Sequence, residues 1–308
     1  MDNLPFVSIL INNYNYAGFV DQAIDSALNQ TYDRVEVIVV DDGSKDHSRE
    51  IIARYKDRIT PVFKENGGQS SAFNAGFHAS QGDIICFLDA DDYCFPEKAS
   101  QVVEQLQNHP DAGWFFHRLQ RVDTTGEPLN PHREANHAEL SLLDLRSQIL
   151  RGQAVQTIFP ATSGLCFKRE ILQQTLPMPE QLRLSADNFL RLSAAYLSPG
   201  LLSETELAVH RIHGSNAYES GKNTAYLHAE TNIQTSYHLR KRFPETAAFT
   251  KQLFSHSLGQ VAGHSGINKA SQIAESNEYL KTFFTPSDWI AYSPRILYNY
   301  AKSVINRN

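Results

Sequence analysis

Ile84-Ile85-Cys86-Phe87-Leu88-Asp89-Ala90-Asp91-Asp92-Tyr93 is the stretch on which the reading of this chain turns. It opens with an unbroken apolar run, preceded by the turn signal Gly82-Asp83. Such a run reads as a strand buried on both faces of a parallel sheet. Open α/β sheets bind ligands beyond the carboxyl ends of these strands, and there stand Asp89, Asp91 and Asp92. Carboxylates so crowded repel one another unless a cation lies between them. Oxygen donors suit Mg²⁺ or Mn²⁺, ions that commonly bridge protein to phosphate. The stretch therefore reads as a divalent cation holding a diphosphate. The plainer alternative is a surface turn before an acidic helix start at Pro96-Glu97.

The residues upstream alternate strand and helix. Val7–Ile11 reads as a first strand, and Phe19, Val20, Ala23, Ile24, Ala27 and Leu28 then share one helical face. Val35–Val40 is a second strand rich in β-branched residues, ending in Asp41-Asp42-Gly43-Ser44. Asp46 and Ser48 are placed to cap a short helix carrying Ile51, Ile52 and Tyr55. Thr60–Phe63 is a weaker strand. After Asn66-Gly67-Gly68, a helix capped by Ser70 or Ser71 is expected, and after Pro96 another carrying Ala99, Val102, Val103 and Leu106. This order predicts a doubly wound, mostly parallel α/β sheet. Right-handed crossovers put every strand end on one edge, so Asn12–Tyr16, Asp41–Ser44 and Asp89–Asp92 should converge in one cleft.

Further on, Gly113–Arg121 reads as a strand, Asp123–Glu139 as a hydrophilic loop and Leu140–Leu150 as a helix. Gly164–Phe167 reads as a strand and Arg169–Thr175 as a helix. Pro177 and Pro179 impose extended backbone. Ser185 is placed to cap a helix starting at Ala186-Asp187, and Leu207–His213 is a late strand. From Asn223 the pattern is helical, with apolar stripes such as Trp289, Ile290, Leu297, Tyr300 and Val304.

With 308 residues, 41% apolar and 20% charged, the chain is expected to be a soluble globular protein. Cys86, Cys94 and Cys166 have neither metal-ligand spacing nor an even number, so a reducing cytoplasm is expected. Met1–Pro5 lacks a basic stretch leading into an apolar core, and no apolar run approaches the ~20 residues of a membrane span. Residues 1–218 carry 18 Lys and Arg against 28 Asp and Glu, whereas residues 219–308 carry 10 against 6. The break suggests a boundary between a first domain over 1–218 and a helical extension over 219–308. An acidic cleft argues against nucleic acid as a partner. The basic, aromatic extension is read as a packed appendage or, alternatively, as a peripheral contact with anionic lipid.

The motifs, taken in order, resemble family 2 glycosyltransferases of the GT-A fold. They are Val7–Asn15, Ser26–Tyr32, Val39–Asp46, Asn74-Ala75-Gly76, Gly82-Asp83 with Phe87–Asp92, Ser163–Arg169, Ser185-Ala186-Asp187 and His210–Asn216. The resemblance covers roughly residues 5–218. It implies an inverting, metal-dependent enzyme that moves one sugar from a nucleotide-diphosphate sugar, UDP by preference, to a glycan or lipid-linked hydroxyl acceptor. Asn12, Tyr14, Asp41 and Asp42 would meet the base and Asp89 the ribose or metal shell, while Arg211 would neutralise phosphate or pair with one of the acidic residues. Asp91 or Asp92, with His213, would hold Mn²⁺ or Mg²⁺. Asp187 would be the general base. The chain departs from the family pattern at Asn12-Asn13, where Pro-Thr is usual, at Phe73, where Arg is frequent, and at Ala186, where a first acid is common. Gln69 or Lys64 is the expected substitute for that Arg. The competing readings are a sugar nucleotidyltransferase, which lacks support because no Gly-rich basic loop follows the first strand, and a non-catalytic nucleotide-sugar or glycan binder.

Overall fold

The computed structural model describes residues 4–129, 139–214, 216 and 224–305. They form two compact units, one of Met1–Asp144 with Ile158–His213, the other of Leu145–Thr157 with Gly214–Asn308. The first unit is built on one mixed sheet. Strands β1 (Val7–Asn13), β2 (Val35–Asp42), β3 (Thr60–Lys64) and β4 (Ile84–Asp89) run parallel in the order β3-β2-β1-β4. Helices α1 (Val20–Leu28), α2 (Ser48–Ala53) and α3 (Gln69–Ala79) connect them. In register, Asn12 stands beside Val40 and Asp89, and Asn13 beside Asp41. The carboxyl ends of β1, β2 and β4 therefore finish level with one another, as the βα alternation predicts.

Both faces of these strands are covered. Ile9, Ile11, Val37, Val39, Cys86 and Leu88 pack with Val20, Ala23, Ile24 and Ala27 of α1. The same core includes Ala99, Val102, Val103 and Leu106 of α4 (Lys98–Asn108). Phe87 points the other way, onto Phe73 (ring centroids 4.7 Å apart) and Phe167 (5.8 Å).

Beyond β4 the sheet stops being parallel. It continues through β5 (Tyr93–Cys94), β6 (Trp114–Val122), β7 (Leu140–Leu143), β8 (Leu165–Lys168) and β9 (Gly200–Arg211). β8 is antiparallel to β4 and β6 to β8; β9 is parallel to β6, with β5 and β7 antiparallel to β9. Helices α6 (Arg169–Thr175) and α7 (Ala186–Leu197) flank this half.

Several local expectations are corrected. Leu140–Leu143 is a strand, and only α5 (Arg146–Leu150) is helical: the spare edge of β9 supplies backbone partners that a four-residue apolar stretch takes up. α3 already begins at Gln69, so Ser70 and Ser71 lie inside it and are buried. Its N-terminal flank is Gly68, at φ +87, with no room for a Cβ against Arg183. α4 starts two residues after Pro96. Ser185 does precede α7, but no side-chain hydrogen bond caps the helix. Most of the hydrophilic loop expected after Asp123 lies outside the described residues.

The second unit is helical: α5, α8 (Thr224–Arg242), α9 (Ala247–Ser265), α10 (Ile267–Ala270), α11 (Ala274–Phe283) and α12 (Pro286–Ile305). Its core holds Ala229, Ile233, Phe254, Leu258, Val261 and Tyr279, with Phe254 and Tyr279 stacked at 4.2 Å.

Candidate active site at the carboxyl edge of the sheet

Asp89 ends β4, and the turn after it, closed by the Asp92 amide on the Asp89 carbonyl (3.0 Å), brings Asp91 and Asp92 back beside it. Carboxylate oxygens of all three lie within 4.8 Å of one another. Burial, reinforced by the charges of Asp91 and Asp92, pushes Asp89 well above the usual carboxylate range; the Asn12 amide (2.6 Å) opposes this. Burial and the charge of Asp92 likewise raise Asp91, against the His213 hydrogen bond (Nε2 to Oδ2, 2.9 Å). Three oxygen donors drawn together in a buried place at an electrostatic cost are a donor set that fits a hard divalent cation.

β9 supplies the opposite wall. Its pairing with β5, Tyr93 to Val209 and Cys94 to Ala208, lays Asp92 against the strand end, where the Arg211 amide donates to Asp92 Oδ1 (2.9 Å). The Arg211 guanidinium is buried over Phe19 and Tyr93 (5.0 and 5.5 Å) and donates to the Asp91 carbonyl (3.0 Å) and to Gln22. His213 stacks on Phe19 at 5.2 Å and meets Tyr16 edge-on at 5.7 Å. His210 also reaches the cluster, with Nδ1 3.4 Å from Asp92 Oδ2. Burial would lower its pKa, but that hydrogen bond and the three acidic charges push it up to about 9. Strand alternation assigns His210 to the far side from Arg211 and His213. Instead β9 ends at Arg211, and all three gather at the acids.

Ser163 was not singled out by sequence reasoning. Its hydroxyl donates to Asp92 (2.6 Å) and accepts from the Asp89 amide (3.0 Å). Beneath it the buried ammonium of Lys98 donates to the Ser163 and Phe87 carbonyls (2.8 and 3.2 Å). Tyr16, in the Asn12–Tyr16 stretch expected at the cleft but given no role of its own, is within hydrogen-bonding reach of Asp91. Asn13, in the same stretch, sends Nδ2 to Asp41 (2.9 Å), and its buried Oδ1, like Asn12 Oδ1, has no hydrogen-bond partner among the described residues. Unmatched buried acceptors are a cue that only coordinates provide.

Asp41 and Asp42 differ from the cluster. Asp41 accepts from Arg49 Nε (2.7 Å), Asn13 and the Ser44 amide (3.1 Å), and these hold its pKa down although burial acts the other way. Asp42 accepts from Lys64 (2.6 Å) and from the Gly67 and Gly68 amides (2.9 and 2.7 Å). Next to them lies a cavity of about 570 Å³ lined by Gly43, Ser44, Lys45, Arg49, Phe63 and Asn66, among others. Arg49 sits 5.7 Å above the half-exposed Phe63 ring. Tyr14 stands exposed on the loop after β1.

Asp187 is the second residue of α7, buried, with Arg191 one turn on at 3.3 Å, and its charge contributes to raising Asp89. Gln69 ties this helix start to α3: its side chain accepts from the Ala186 amide (2.9 Å) and donates to Thr162 (3.3 Å). Phe73 is core. Lys64 is engaged with Asp42.

The sequence matches the family profile described as Glycosyl transferase family 2 over residues 8–176. The chain belongs to that family. An uncharacterized glycosyltransferase of Nostoc sp. is 39% identical over 220 residues, 70% of this chain and 67% of that protein. An uncharacterized glycosyltransferase of Bacillus subtilis is 34% identical over 62% of this chain and 56% of its own length. Among solved structures, S. aureus TarS in complex with UDP-GlcNAc superposes with a TM-score of 0.62 at 16% identity, covering 98% of this chain and 91% of that one. The mannosyltransferase PcManGT from Pyrobaculum calidifontis, in complex with GDP-Man and Mn²⁺, gives 0.51 at 18% identity, covering 100% and 89%. At such identities the structural likeness speaks for the fold. Family membership makes this chain a glycosyltransferase.

Proposed function

We propose that the protein is an inverting, divalent-cation-dependent glycosyltransferase that moves one sugar from a nucleotide-diphosphate sugar to a hydroxyl of a glycan or lipid-linked acceptor. UDP is the preferred nucleotide; TarS in complex with UDP-GlcNAc and PcManGT with GDP-Man and Mn²⁺ supply the precedents for donor and ion. The observation that carries the reading is the gathering of Asp89, Asp91 and Asp92 within ligand distance of one another while Asp187 bears on the same cluster.

Asp91, Asp92 and His213 are the residues that would hold Mn²⁺ or Mg²⁺, with Asp89 toward the ribose. The bound ion would offset the negative charge of the departing diphosphate. Asn12, Tyr14, Asp41 and Asp42 would frame the base beside the Phe63 cavity. Arg211 acts from behind by fixing the Asp91–Asp92 turn. Asp187 accepts the proton of the acceptor hydroxyl as that oxygen bonds to the anomeric carbon; the bond to the diphosphate breaks on the opposite face and its electrons leave with the nucleotide. The three free, buried thiols suit a reducing cytoplasm.

The test is donor hydrolysis in the presence of Mn²⁺, measured for the wild type and for Asp187→Asn. Turnover should fall about 10²–10⁴-fold, while UDP and Mn²⁺ still raise the melting temperature. Binding of UDP with no turnover of any UDP-, dTDP- or GDP-sugar by the wild type would instead make this a binding protein.

A further inference from the structure

Helix α12 is amphipathic in the inverted sense. Among its residues the buried ones are Asn299 and Ser303. They face α9, where Gly259 and Gly263 let the two backbones approach: a Cβ on Gly259 would strike the Ile296 carbonyl and the Asn299 side chain, and one on Gly263 the Tyr300 carbonyl and Ser303. Of its large apolar side chains, Ile296 packs against the core and Trp289 and Tyr292 touch Phe284, while others face outward. Ile290 is 82% exposed, Leu297 65%, Tyr298 65% and Trp289 44%. Ile290, Leu297 and Val304 recur every seven residues, so they lie nearly in line along the helix, with Trp289 and Tyr300 beside them. A soluble helix ordinarily buries its apolar stripe and exposes its polar one.

The balance of charge is positive. α12 contains a single acid, Asp288, ion-paired with Lys251 at 2.8 Å, and two bases, Arg295 and Lys302. Residues 145–157 and 214–308 together carry 12 Lys and Arg against 6 Asp and Glu, a net +6 in a chain whose total is −6. No helix among the described residues is long and apolar enough to cross a membrane.

We propose that α12 lies in the headgroup region of an anionic lipid surface, with Ile290, Leu297 and Val304 in the acyl boundary, Trp289 and Tyr300 at the interface and Lys302 toward the headgroups. An exposed aliphatic line flanked by Trp, Tyr and basic residues is the pattern of an interfacial helix. A net positive unit is drawn to anionic lipid. A second copy of the chain fits less well, because it would set two units of net +6 against each other. The inference goes beyond the donor chemistry and stands on α12 and its unit alone.

The full chain is sedimented with phosphatidylcholine vesicles with and without phosphatidylglycerol. Wild type should pellet with the anionic vesicles and be released by high salt. Ile290→Glu combined with Leu297→Glu should reduce the bound fraction about tenfold or more, with an unchanged melting temperature and unchanged donor hydrolysis in solution. That last readout keeps failure of this inference distinct from failure of the proposed transferase. Trp fluorescence gives a second readout without substitution: the other tryptophan, Trp114, is fully buried, so a blue shift on adding anionic vesicles reports Trp289. The proposal is overturned if wild type stays in the supernatant with no blue shift, or if the double variant binds as well as wild type. It is also overturned if the same substitutions abolish a concentration-dependent self-association of a protein that ignores vesicles.

Discussion

Two acidic groups stand on the same sheet edge and are treated in opposite ways. At the end of β2, Asp41 and Asp42 meet Arg49, Lys64, Asn13 and three backbone amides, and Asp41 titrates below its ordinary range. At the end of β4, Asp89 and Asp91 face Asp92 and each other, and both are raised. Lys98 and Arg211 are committed in part to carbonyls and Gln22, which leaves His213 on Asp91 and His210 on Asp92 as the basic groups that oppose the repulsion. The first pair has its charge matched within the protein. The second group is a donor set that fits a cation.

That contrast can be broken by substitution. Asp91→Ala should lower donor turnover about 10³-fold, the scale of several kcal/mol of charge stabilisation, and change the stability of the metal-free protein little, because relief of the repulsion offsets loss of the His213 hydrogen bond. Asp42→Ala should do the reverse in kind. It leaves Lys64 and two amides without their acceptor and should cost about 3 kcal/mol in urea unfolding. Equal stability losses for the two variants would erase the distinction between the two groups.

A pH titration sharpens it further. His117 is fully buried, and burial together with the nearby Lys98 pushes its pKa well below the ordinary value. The folded state therefore keeps it neutral while the unfolded state takes up a proton near pH ~6.5. Its contribution to stability is intact above that pH and is lost as the pH falls, by about 1.4 kcal/mol per unit. His117→Gln should flatten the acid limb by that amount; an unchanged slope would assign the acid sensitivity to other groups. The smallest effect is expected at the aromatic wall. Phe19→Leu removes the stacking on His213 and the Arg211 contact and should cost about 1 kcal/mol.

Much of the parallel half was legible because its signals are local and redundant. The apolar runs of β1, β2 and β4, the amphipathic α1 and the crossover rule suffice to bring Asn12, Asp41 and Asp89 level. The mixed half was harder. β5 is two residues long and carries no periodicity, yet its pairing with β9 is what delivers Arg211, and with it His210, to Asp92. β7 was read as helix because four apolar-rich residues fit either period. Ser163 is a polar residue whose importance lies in which atoms it meets across the sheet, and nothing in its own neighbourhood announces it. The inverted face of α12 was half visible: the stripe could be seen, but only its exposure tells that it points outward.

The central claim is that Asp91 and Asp92, with His213, form a cation site beside a diphosphate. An anomalous difference map from a crystal soaked in UDP and Mn²⁺ tests it most directly. A single strong peak among the Asp91, Asp92 and His213 side chains, next to the diphosphate, is the expected result. A peak or a nucleotide bound elsewhere, with the Asp89–Asp92 turn empty, would contradict the account.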